Sequence, residues 1–197
     1  MENTTKKPDY PIIPFVSEAE FTQWMVQNHD KENGIWLRFY KKNSGVATIV
    51  YSEALDVALC FGWIDGQLKK LDDNSYIQKF TPRRAKSIWS KRNREHVARL
   101  EKEGRMHPRG IREVEAAKRD GRWETAYDSP GNMEISEEFM NELSKNQKAL
   151  AFFNTLNKTN LYAIGWRLQT SKTLQIKEKR ILAIIDMLEK GRKFHQP

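Results

Sequence analysis

One cysteine, Cys60, stands in a chain of 197 residues. It has no intrachain partner, so a disulfide framework, a Cys-X-X-Cys redox pair and a cysteine-built zinc cluster are excluded. Such a chain suits a reducing compartment. Long apolar runs are lacking too. No stretch approaches the ~18 apolar residues of a membrane span, and the opening segment MENTTKKPDYPIIPF holds no apolar run of signal-peptide length. The expected location is cytoplasmic, without membrane insertion, and the first ten or so residues are expected to form a loose tail. The motifs of familiar chemistries are also missing: there is no G-X-S-X-G, no P-loop and no G-X-G-X-X-G. His29, His96, His107 and His195 lack metal-site spacing, and Asp72-Asp73 reads as a solvated turn. No metal or cofactor is expected, and no catalytic residue is assigned.

What the chain does have is aromatic mass and unevenly spread charge. Six tryptophans and a 39% hydrophobic content supply a real core. The net charge of +8 is concentrated: residues 79–122 hold 15 Lys and Arg against 6 Asp and Glu, while the rest of the chain is close to neutral. A solvated basic helix surface explains this as readily as a patch for an anionic partner does.

Hydrophobic spacing lays out the elements. Ser17 with Glu20 is a capping-box pattern opening a helix that carries Phe21, Trp24 and Met25. Ile35 to Tyr40 reads as a strand, and Lys41 to Ala47 as a loop. Ser52 caps a second helix, apolar nearly all round from Leu55 to Phe61 and ended by Gly62. Trp63 to Leu68 and Tyr76 to Phe80 form a hairpin around Asp72-Asp73-Asn74. A helix runs from Trp89 to about Glu103, and another from Pro108 to about Arg119. Residues 128–134 form the best linker. Four amphipathic helices follow, marked by Phe139, Met140 and Leu143; Leu150, Phe153 and Leu156; Leu161, Ile164 and Leu168; and Ile181, Ile184, Ile185 and Leu188. The expectation is an α+β, helix-rich fold: a module over residues 10–128 with a small antiparallel sheet, then a small all-helical module over 135–194. Apolar stripes wider than one helical layer buries would make the chain a homodimer.

Two segments concentrate the chemistry. In Gly62-Trp63-Ile64-Asp65-Gly66 a helix end meets a strand between two glycines. It is either a tight turn with Trp63 in the core, or a site with Trp63 as a wall and Asp65 as an acceptor. In Phe80 to Ser90, Arg83, Arg84 and Lys86 precede a helix start that Ser87 or Ser90 would cap, with Trp89 and Asn93 on one face of that helix. A helix N-terminus beside arginine forks suits phosphate or carboxylate. The competing account is an internal Asp65–Arg83 ion pair and a plain Ser87 cap. The candidate ligand site is therefore Trp63, Asp65, Arg83, Arg84, Ser87, Trp89 and Asn93.

Phe61-Gly62-Trp63-Ile64-Asp65-Gly66-Gln67 and Phe80-Thr81-Pro82-Arg83-Arg84 carry a resemblance. With them stand Gly34-Ile35-Trp36-Leu37, Tyr51-Ser52-Glu53-Ala54-Leu55, Ser87-Ile88-Trp89-Ser90 with Asn93, Gly104-Arg105-Met106, Asp120-Gly121-Arg122-Trp123, and Lys172, Arg180 and Phe194 in the helical tail. From about Phe15 onward the sequence resembles the bacterial YdeI/OmpD-associated family, also called bacteriocin-protection proteins. The resemblance implies a cytoplasmic bacterial protein without an established reaction, linked by name to resistance against bacteriocins or envelope stress. It carries over no catalytic residue.

Three functions compete. The first is a binder of an anionic small molecule or peptide at the segments above. The second is an enzyme with Asp65 as acid or base and Arg83 stabilising a developing anion. The third, ranked last, is nucleic-acid binding through Lys91, Arg92, Arg94 and Arg99, a stripe that Glu95, Glu101 and Glu103 interrupt.

Overall fold

The computed structural model describes residues 10–196; the expected N-terminal tail lies almost wholly outside them. Its contacts divide into two compact units. Among the described residues, one holds those up to Ser87 together with Asn93–Trp123, and the other holds Ile88–Arg92 with those from Glu124 onward. The fold is α+β, with helices and one four-stranded sheet in the N-terminal half and helices alone in the C-terminal part.

In the first unit the sheet order is β1-β2-β4-β3, formed by β1 (Ile12–Pro14), β2 (Ile35–Tyr40), β3 (Trp63–Lys70) and β4 (Ser75–Pro82). β1 runs parallel to β2, and the other pairings are antiparallel. Strand alternation then sorts the side chains. Ile35, Leu37, Phe39 and Phe80 are buried and share one face with Trp63 and Asp65. Helices α1 (Glu18–Asn28) and α2 (Tyr51–Cys60) cover that face, with Phe21 on Phe80 at 6.1 Å and Trp24 on Trp63 at 6.0 Å between ring centroids. Trp36, Lys79 and Lys69 share the other face.

The start of α1 is as its sequence pattern requires: Ser17 Oγ accepts from Glu20 N, and Glu20 Oε2 accepts from Val16 N at 2.7 Å. The α2 cap differs. The helix begins at Tyr51, ahead of Ser52, and Glu53 reaches back to accept from Val50 N. Helix α3 (Lys91–Lys102) also differs, starting two residues after Trp89. Trp89 and Ser90 lie in an extended segment joined to Tyr127, with Tyr127 N donating to Trp89 O and Lys91 N to Tyr127 O. That pairing captures backbone groups that a helix would have needed. Helix α4 (Pro108–Arg119) is capped by His107, whose N–H donates to Cys60 O at the end of α2.

The second unit packs α5 (Glu137–Ser144), α6 (Gln147–Phe153), α7 (Lys158–Gln169) and α8 (Leu174–Glu189) around Phe139, Leu143, Ile164, Ile184 and Leu188. Ser136, Asn146, Asn157 and Thr173 each accept from a first-turn amide, so every one of these helices starts on a polar side-chain cap. Among the described residues no helix is long and apolar enough to cross a membrane.

Candidate functional site

The two segments singled out in the sequence meet through their backbones. Gly62, at φ 72°, turns the end of α2 into β3, and its carbonyl accepts from Arg83 N at 3.0 Å. A left-handed conformation of this kind favours glycine. Their side chains then part. Trp63 is 0% exposed, its Nε1 donating to His29 O, and so it belongs to the core. Asp65 points to the helix-covered face, half-buried, and Oδ2 accepts from Tyr51 Oη at 2.9 Å and from Gln78 Nε2 at 3.0 Å. Gly66 falls at a bulge where β3 slips against β4, which places its backbone against Lys79.

Arg83 and Arg84 line a cleft of about 540 Å³ with Tyr10, Asn33, Thr81 and Pro82. Arg83 is 5% exposed and Arg84 is open to solvent. Gly34 makes the cleft wall possible. A Cβ there would lie 2.9 Å from Thr81 Cγ2 and 3.1 Å from Tyr10 Cε2, so only glycine lets the Tyr10 ring settle against β4. Lys79 Nζ stands 5.0 Å from the centroid of that ring, a cation–π contact.

Ser87 does not cap α3. Its Oγ accepts from Arg84 N at 3.2 Å, and its own N–H donates to Arg84 O, closing a tight turn that fixes the Arg84 backbone. Trp89 is buried and belongs to the second unit, outside the helix. Asn93 is buried in the first turn of α3, so these two do not share a helix face. Of the seven residues expected at the site, Arg83 and Arg84 line the cleft and Ser87 holds its edge. Tyr10 and Asn33 complete it. Sequence reading missed them because they approach Arg83 only through the β1–β2–β4 pairing; the Asn33-Gly34 turn pair was the one local signal.

A second grouping was invisible in the spacing of the histidines. His29, Phe61 and His107 converge, with the two imidazole centroids 4.7 Å apart and Phe61 stacked on His107 at 4.7 Å. His107 Nδ1 accepts from Arg109 N as the cap of α4. Burial, with His29 and Arg112 nearby, holds its pKa below the usual 6.5. Cys60 is buried, and that burial pushes its thiol up to about 11, so it is packing and not a nucleophile. On α3, Arg99 pairs with buried Asp56 and with Glu103, and Arg94 donates to Trp123 O. Asp56 also bonds His96 Nδ1 at 2.6 Å. Among the described residues no three His, Cys, Asp or Glu side chains converge as a metal site.

Residues 13–113 match the family model described as Domain of unknown function (DUF8412). The chain belongs to the DUF8412 family. Residues 132–191 match a second model, described as Bacteriocin-protection, YdeI or OmpD-Associated. The resemblance to the YdeI/OmpD-associated family thus rests on the four C-terminal helices, while the DUF8412 match takes in β2 to β4 and the cleft lining apart from Tyr10. No curated protein and no solved structure matches the chain.

Proposed function

We propose that this DUF8412 member is a non-catalytic binder of a small anionic molecule, phosphate- or carboxylate-bearing, held in the Arg83–Arg84 cleft. The observation that carries this reading is the lining itself. Two adjacent arginines line one cleft of about 540 Å³ together with Asn33, Thr81 and Tyr10. Arginine forks bind carboxylate and phosphate oxygens bidentately, and amide and hydroxyl groups complete the acceptor shell. The Ser87 hydroxyl, by fixing the Arg84 turn, reduces the ordering cost on binding.

Binding is preferred over catalysis because Asp65, the acid or base candidate of the sequence, does not line the cleft and already accepts from Tyr51 and Gln78. We infer a role in resistance to bacteriocins or envelope stress; the description of the C-terminal match, Bacteriocin-protection, YdeI or OmpD-Associated, supports the first of these. A thermal-shift and calorimetric screen of phosphorylated and carboxylated metabolites tests the reading. A hit should weaken at least tenfold in Arg84→Glu, whose exposed side chain can be changed without disturbing the core. A hit with equal affinity for wild type and Arg84→Glu would contradict it.

A further inference from the structure

Helix α8 carries a face that the helical core leaves open. Ile176, Arg180, Ala183 and Met187 follow one another at four, three and four residues and so lie on one side of it. Ile176 is 38% exposed, Ala183 is exposed, and Arg180 and Met187 are half-buried. At this stripe two arginines are held together. Arg180 Nη1 donates to the backbone carbonyl of Arg167 on α7 and, at 3.3 Å, to Ser171 Oγ. Arg167 Nη1 donates to Ala163 O at 2.9 Å, and its guanidinium lies 3.7 Å from the centroid of the Phe194 ring. Each of these partners is neutral, and among the described residues neither arginine pairs with a carboxylate. Burial and the charge of Arg180 hold the Arg167 pKa below its usual value. Two like charges thus stand side by side, half out of water, without a counter-ion, an arrangement that costs stability. The neighbouring sequence does not relieve it: residues 167–180 hold five Lys and Arg against one acid, Glu178. Lys177 is taken up by Glu138, while Lys172 and Lys179 are exposed.

We propose that this α7–α8 surface docks an acidic amphipathic helix of a partner protein, its carboxylates on Arg167 and Arg180 and its apolar side chains on Ile176, Ala183 and Met187. The surface is distinct from the Arg83–Arg84 cleft and does not depend on the anion reading of that cleft. Charge complementarity selects the occupant. Each guanidinium has committed Nη1 and keeps its Nε–Nη2 edge, the edge that a carboxylate takes bidentately. The apolar positions, set at helical spacing between the cations, call for anchors at the same spacing. An amphipathic helix supplies them. A small anion or a nucleic-acid backbone has none.

Fluorescence anisotropy of a labelled amphipathic peptide, with leucine at helical spacing and glutamate at its other positions, titrated with the full-length chain, tests this. Saturable binding is expected, weakened about tenfold in Arg180→Gln. Arg180 also holds the end of α7, so two variants at exposed side chains carry the test if that one unfolds. Lys179→Glu and Ile176→Ser should each weaken binding by about fivefold. Arg84→Glu should leave it unchanged. Absence of saturable binding, or binding that Lys179→Glu and Ile176→Ser do not move, overturns the proposal. Equal affinity for a peptide with serine in place of leucine reduces the contact to charge and overturns the docked helix. Tighter binding of vesicles containing anionic lipid, weakened by the same variants, assigns the face to a lipid surface and overturns the partner. A concentration-dependent dimer in sedimentation that Lys179→Glu abolishes assigns it to a second copy of the chain, with the same consequence.

Discussion

His107 illustrates how a single side chain couples packing to pH. Its Nδ1 can cap α4 only while neutral, because an imidazolium has no acceptor to offer Arg109 N. Its folded pKa lies below the unfolded value of 6.5, chiefly through burial. The unfolded chain therefore binds the proton more readily, and the sign follows. The contribution is fully present above about 6.5 and is lost as pH falls through the lower folded pKa. Urea unfolding at pH 8 and at pH 5.5 should show a loss at the lower pH that His107→Asn reduces, since asparagine caps without titrating; a cap is worth ~1 kcal/mol. At Asp65, Tyr51→Phe should cost about 1 kcal/mol in the same assay by removing a hydrogen bond to a half-buried carboxylate. From the sequence, Asp65 was expected to accept from a ligand or from Arg83. Its donors, Tyr51 and Gln78, were not legible, since one sits at the start of a helix and the other on the partner strand.

At the level of elements, legibility followed the strength of local signals. β2 falls where its run of β-formers ends, and α4 begins at its proline. The hairpin spans the expected residues and extends to Lys70 and Pro82. β1 was missed because three residues flanked by Pro11 and ended by Pro14 carry no alternation of their own; parallel pairing to β2 makes them a strand. The start of α3 was misplaced for a similar reason: a non-local partner, Tyr127, holds Trp89 and Ser90 extended. In the helical unit, apolar spacing at three and four residues was decisive, and it identifies Phe139 as a core position on α5, its ring 5.9 Å from that of Phe153. Phe139→Ala should lower stability by roughly 3–5 kcal/mol, the usual cost of emptying a buried phenyl site, measured as a reduced urea midpoint with an unchanged slope. A loss under 1 kcal/mol would mean that this core collapses to fill the space.

For the whole molecule, charge was the sequence signal that pointed toward the site, although only its leading edge lines the cleft. The net +9 of residues 79–122 divides among different tasks. Arg99 secures Asp56, Arg122 pairs with Asp120 and donates to Ser87 O, and Arg83 and Arg84 line the cleft. Composition shows the excess, and only tertiary pairing shows which cations serve the interior. The two family matches follow the same division of content, with β2 to β4 and the cleft apart from Tyr10 inside one and the helical core inside the other. The most direct test of the account is an amide NMR titration of the full-length chain with inorganic phosphate and a mononucleotide at low salt. Saturating shifts concentrated at Asn33, Gly34, Thr81, Arg83 and Arg84 are the predicted result. Saturating shifts elsewhere with these five unmoved, or no saturation at millimolar ligand, would contradict it.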